Sequence, residues 1–185
     1  IRLREELTRP TEPNDIERAL TEWIDRPKMT AAEEHVVATH EAGHAVVNLF
    51  CTHAKPIERI SIQGDFAGAL GFVRYQDRAN RYVITRGELQ DDLTILMGGR
   101  AAEELLLDDI SIGSAGDLDR ATDIARAIVE EFGMGGDNVG LARLSSNIDR
   151  TDHRRAELSE SQRAAIDTAV RTLLTEAQDR ATAPV

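Results

Sequence analysis

The sequence predicts a mainly α fold with one small β-sheet, an α+β arrangement, and three observations predict it. Five stretches repeat apolar residues at spacings of three and four, the period of a helix with one buried face. One short stretch, "IERISIQ", instead alternates at every second residue, the period of a strand. Two of the helical stretches open on a threonine followed three residues later by a glutamate, the capping-box signature of a helix start.

Prolines at 10, 13 and 27 divide the first 27 residues from the rest and enclose Ile16, Leu20 and Trp23, spaced four and three. This predicts a linker with a lone amphipathic helix over 1–27, ahead of a main domain over 28–185. Thr30 with Glu33 opens the next helix, whose Val36, Val37, His40, Gly43, His44 and Val47 share one stripe, so both histidines face the interior. In "IERISIQ", Ile60 and Ile62 alternate with Arg59, Ser61 and Gln63, which predicts a strand with one covered face. After the turn-rich "GDFAGA", the aromatic and β-branched "LGFVRY" pairs with it as a hairpin that helices must cover.

Thr85 and Glu88 open a helix with Leu89, Leu93, Leu96, Met97, Ala101, Leu105 and Leu106 on its apolar side. Gly98 and Gly99 lie in its middle, where each costs on the order of 1 kcal/mol against alanine, so close backbone packing is expected there. Another helix begins near Asp117, steps through Leu118, Ala121, Ala125, Ile128 and Phe132, and ends at Gly133. A polar loop with "GMGGDN" and "SSNIDRTDHR" leads to the last helix, about 159 to 179, with Ile166, Val170, Leu173, Leu174 and Ala177.

Composition narrows the function classes. The 185 residues suffice for one compact domain, and 41% hydrophobic with 30% charged residues is the balance of a soluble globular chain. No apolar run approaches the roughly 18 to 20 residues of a spanning helix, and no signal peptide opens the sequence. A formal charge of −11 disfavours a phosphate-backbone partner, so nucleic acid is not expected. The single cysteine, Cys51, has no internal disulfide partner; beside Leu49 and Phe50 it reads as a small buried residue, which fits a reducing compartment.

The chemistry concentrates in "ATHEAGHAVV". Residues four apart on a helix project from one face, so His40 and His44 are able to share one metal ion. Zinc accepts neutral imidazole nitrogen, and a catalytic zinc keeps three protein ligands and a water. Glu41 is rotated one residue step from His40, so its carboxylate reaches that water without ligating the metal and becomes the natural general base. The plainer reading, two satisfied core histidines, leaves unpaired polar groups inside at roughly 1 to 3 kcal/mol each; a shared cation removes that objection. The third ligand stays open on spacing alone. His35, His53, His153, Glu103, Glu104, Asp117 and Asp119 all compete, and Ser114-x-x-Asp117 also has the pattern of a plain helix cap.

The chain resembles the peptidase domain of FtsH-type AAA+ zinc metalloproteases. The resemblance runs from about residue 30 to 144 and rests on "HEAGHAVV", "GALGFV", "RYVITRGEL", "GGRAAEEL", "GDLDRATDIAR" and "EEFGM" in the family's order. It implies a mostly helical domain that cleaves unfolded or flexible proteins. It also implies Zn2+ held by His40, His44 and Asp117, with Glu41 as catalytic base. An extended substrate is expected to add to the edge strand at Gly68 to Tyr75, with Gly68, Ala69, Leu70, Gly71 and Phe72 as its contacts. Glu103 and Glu104 look structural, at a solvated helix end or behind the ligands. The resemblance further implies a homo-hexamer, an AAA+ ATPase domain upstream in a longer chain, and a place in the cytoplasm or at the cytoplasmic face of a membrane. Two departures stand out. Gly116 occupies a position where the family commonly has asparagine, and these residues hold no G-x-x-x-x-G-K-[ST] phosphate loop. A free-standing peptidase, or a catalytically silent zinc-binding assembly module, is the alternative.

Overall fold

A computed structural model describes residues 12–24, 28–63, 70–76, 83–144 and 158–185. The described elements are α1 (Pro13–Ile24), α2 (Ala31–Phe50), β1 (Ile57–Ser61), β2 (Phe72–Tyr75), α3 (Arg86–Leu107), a 3-10 turn (Ile112–Ser114), α4 (Ala115–Arg126), a π-helical turn (Ala127–Glu131) and α5 (Glu160–Thr182). The fold is mainly α with a small β-sheet, as the periodicities predict.

Both threonine caps form. Glu33 N–H donates to Thr30 Oγ1 at 3.3 Å while Thr30 N–H donates to Glu33 Oε2 at 2.7 Å, which fixes the start of α2. Thr85 and Glu88 repeat the arrangement at α3, and Ser159 with Gln162 does so at α5. The third box puts serine and glutamine in the places of threonine and glutamate.

Helix α3 is the centre of the domain, with α2, α4 and α5 packed on it. Its Leu93, Met97 and Ala101 are buried together with Ala121, Ala125 and Ile128 from α4 and its π-helical extension, and with Ile166, Val170 and Ala177 of α5. The glycine pair explains the close approach of α2. A Cβ on Gly98 would stand 2.8 Å from the Gly43 carbonyl oxygen, and one on Gly43 would stand 2.6 Å from Ala102 Cβ. Neither position accepts a side chain, so the two backbones meet directly.

The sheet is an antiparallel pair in which Ile60 faces Val73 and Ser61 faces Phe72. It leans on α2. The expected covered face is only partly covered: Ile60 is 48% and Ile62 37% exposed, because two short strands against one helix leave much of the sheet in solvent. Three other helix ends depart from expectation in the same way. Burial on α3 stops at Glu103, one turn before the helix ends, so Leu105 and Leu106 face outward; Leu118 and Phe132 are also exposed. Ile16 and Leu20 of α1 are exposed as well. No helix among the described residues is long and apolar enough to cross a membrane.

Candidate metal centre and active site

Helix α2 carries His40, Glu41 and His44 inward, and each of the three is nearly buried. The crossing with α3 sets the first ring, since a Cβ on Gly99 would collide with the His40 imidazole. Helix α4 brings Asp117 to the same point from its first turn. The capping role open to Ser114 and Asp117 is not the one adopted: Ser114 Oγ donates to Ser111 O at 3.2 Å, and Asp117 turns to the histidines instead.

Asp117 Oδ2 lies 3.2 Å from His40 Nε2 and 3.2 Å from His44 Nε2, and the two Nε2 atoms are 3.0 Å apart. The far side of each ring fixes its tautomer. His44 Nδ1 faces the Ile95 carbonyl oxygen at 2.7 Å, an acceptor only, so Nδ1 carries the hydrogen. His40 Nδ1 donates to Glu103 Oε1 at 2.6 Å. In neutral rings both Nε2 atoms are then bare lone pairs that face each other and a carboxylate oxygen, an arrangement that repels itself unless a cation stands between them. Tetrahedral zinc with bonds of about 2.0 to 2.2 Å needs ligand atoms roughly 3.3 Å apart, close to the observed triangle. The donor set therefore fits zinc in both chemistry and spacing.

The electrostatics agree. Burial alone would push His40 down, but the adjoining carboxylates of Asp117 and Glu103 outweigh it and raise the ring's affinity for positive charge. Burial likewise opposes ionisation of Asp117, yet wherever an imidazole is protonated, its Nε2–H and its positive charge, from His40 and His44, hold the Asp117 carboxyl well below the usual carboxylate range. Glu41 is pushed up by burial, against the pull of His44 and His40 and with the help of Asp117.

The competing third ligands separate cleanly. His35 is exposed on α2. His53 pairs with Asp91 at 2.9 Å and stands apart from the site. His153 lies outside the described residues. Glu103 is 1% exposed and does not join the ligand atoms; it accepts from His40 Nδ1 and from Ser111 N–H at 2.5 Å, tying the ring to the segment that leads into α4. Glu104 is exposed and accepts from Gln178. Of the expected substrate contacts, Gly68 and Ala69 lie outside the described residues. Leu70 and Gly71 precede the strand, which begins at Phe72, and Gly71 packs directly on Glu41.

Two imidazoles one helical turn apart, a carboxylate between them in sequence and a third ligand from a second helix define a metal site of the His-Glu-x-x-His class on a helical domain. The chain belongs to peptidase family M41, whose sequence profile matches residues 27–185. It is similar to the ATP-dependent zinc metalloprotease FtsH of Pseudothermotoga lettingae, 37% identical over 90% of this chain and 28% of that protein. The FtsH proteins of Ralstonia pickettii (40% identical, 82% of this chain, 22% of that protein) and Thermotoga maritima (35%, 90% and 29%) are similar as well. The chain thus spans about a quarter of the length of the curated relatives it matches.

Proposed function

We propose that this chain is the proteolytic domain of an ATP-dependent protease, a zinc metalloendopeptidase that cleaves unfolded or flexible protein chains. His40, His44 and Asp117 are its zinc ligands and Glu41 its general base. The observation that carries the reading is the triangle of three bare acceptor atoms, with Glu41 next in sequence on the same helix. Zinc held there supplies a Lewis acid, which lowers the pKa of water toward about 7 and polarises a carbonyl.

The chain's own residues do the rest. Glu103 and the Ile95 carbonyl hold the two rings in the tautomer that leaves Nε2 free. Glu41 takes a proton and returns it to the departing amine, and its raised affinity for protons in a buried setting suits that exchange. The β2 edge, from Phe72 on, offers backbone groups to an extended chain beside the base.

The finer reading keeps residues 1–27 as the tail of an AAA+ lid, an ATPase ahead of it, and a ring of six chains in the cytoplasm or at its membrane face. Large apolar side chains left at the surface support the assembly, among them Phe50, Ile112 and Leu141. Sedimentation showing only monomer at micromolar concentration would count against the ring for this piece.

The central test is Glu41→Gln with metal analysis and an unstructured protein as substrate. One zinc per chain with turnover reduced by about 10²- to 10⁴-fold is expected. Retained turnover removes Glu41 as base, and zinc without turnover in the unmodified chain favours the silent assembly module.

A further inference from the structure

Glu41 is a nearly buried carboxylate whose side chain lies against the backbone of Gly71. It is 7% exposed, and among the described residues no protein group donates a hydrogen bond to it; the charges of His44, His40 and Asp117 act on it from a distance. Without such a bond the rotamer is set by the groups packed on the side chain, and the backbone of Gly71 is one of them. A Cβ built on Gly71 would stand 2.7 Å from Glu41 Oε1, 2.8 Å from Glu41 Cγ and 2.8 Å from Val37 Cγ1. Such contacts are too short to exist, so any side chain at 71 displaces either the carboxylate or the backbone that enters β2. Backbone conformation does not explain the glycine, because its φ is outside the left-handed region and an L-residue is free to adopt it.

We propose that Gly71 is a positioning residue for the general base: the bare backbone leading into β2 is the wall that sets the Glu41 carboxylate, so one short segment both starts the substrate strand and aims the base. The inference rests on the reading of Glu41 as base. It differs from a substrate-contact role for Gly71, which acts on binding. A positioning role acts on turnover, because displacement of a reacting group by about 1 Å costs on the order of 100-fold in rate.

Gly71→Ala is the test, read by kcat and KM on an unstructured protein, zinc per chain, and a crystal structure of the variant. The expected result is kcat down by about 10- to 100-fold with KM within twofold, one zinc retained, and a displaced Glu41 carboxylate. Val37→Ala added to Gly71→Ala removes the third short contact and should restore part of the lost kcat, and it keeps the test decisive where the single variant folds poorly. An unchanged kcat, a rise in KM alone, or loss of zinc overturns the inference. The two readings fail separately: an active Glu41→Gln removes the base itself, whereas an inactive Glu41→Gln beside a fully active Gly71→Ala removes only the positioning role.

Discussion

Two clusters in this molecule set histidine rings against an aspartate, and they behave in opposite ways. At the first, His40, His44 and Asp117 present three bare acceptor atoms to one point. At the second, Asp91 accepts from the His53 backbone N–H and the His53 ring, both at 2.9 Å, and from Arg180 at 2.6 Å. The second cluster brings its own cation, so its charges close on themselves and pin the end of α5 to α3. The first brings none. The same residue types thus give a metal site or a structural clasp according to whether the chain supplies the positive charge.

The sharpest way to break that contrast is to remove one histidine from each. His44→Ala should abolish stoichiometric zinc and reduce turnover to background, because two remaining donors do not complete a catalytic site. His53→Ala should leave zinc at one per chain and turnover within about twofold, since His53 pairs with Asp91 and is not part of the His40–His44–Asp117 group. Metal analysis and a proteolysis assay on both variants decide it; zinc loss from the His53 variant would show that the clasp and the site are coupled.

Next in size is the support behind the proposed zinc ligands. Glu103→Gln keeps the shape but weakens the bond that sets the His40 tautomer, and a loss of 10- to 100-fold in zinc affinity is expected by competition with a chelator. An unchanged affinity would mean that burial against Gly99 suffices to hold the ring.

The clasp should answer in stability instead. Asp91→Asn leaves Arg180 facing a neutral group, and a cost of about 1 to 3 kcal/mol is expected in urea unfolding at neutral pH. Burial opposes the Asp91 charge, but the hydrogen bonds from His53 and Arg180 outweigh it and hold the carboxyl below its ordinary value. With the folded pKa depressed, the contribution is complete above the unfolded value of about 3.9 and is lost as pH falls through the folded one. The gap between wild type and Asp91→Asn should therefore narrow below about pH 4. A gap that stays constant with pH would deny the clasp its charge.

Much of this contrast was hidden in the sequence, for physical reasons. Local signals were legible: the threonine caps, the inward stripe of α2, the hairpin, and the glycine pair that lets two helices touch. Tertiary partners were not. Asp117 is 73 residues from His44, and spacing within one helix says nothing across that distance. Glu103 and Glu104 both lie seven residues after buried positions, Leu96 and Met97, so periodicity does not choose the inward one. The Ile95 carbonyl that orients His44 is backbone and has no residue type to reveal it. The π-helical turn after Arg126 carries no breaker residue. Leu105 and Leu106 continue an apolar stripe past the point where other helices cover it.

The smallest expected effect concerns Gly116, which precedes Asp117 at the position where the resemblance leads one to expect asparagine. A Cβ there would meet no atom within 4 Å, so the glycine is not required by space at that atom, and its φ is outside the left-handed region. Gly116→Asn should therefore fold and gain a few tenths of a kcal/mol from the helix-propensity difference. Its effect on zinc should be small, because both rings already have partners on their far sides and Asp117 Oδ2 already stands 3.2 Å from both Nε2 atoms. A change of less than about threefold in zinc affinity is expected, against the 10- to 100-fold effect of a lost second-layer bond. A tenfold gain would instead show that Asp117 lacks a partner which asparagine supplies, and that the metal side of the contrast is less complete than its triangle of acceptors suggests.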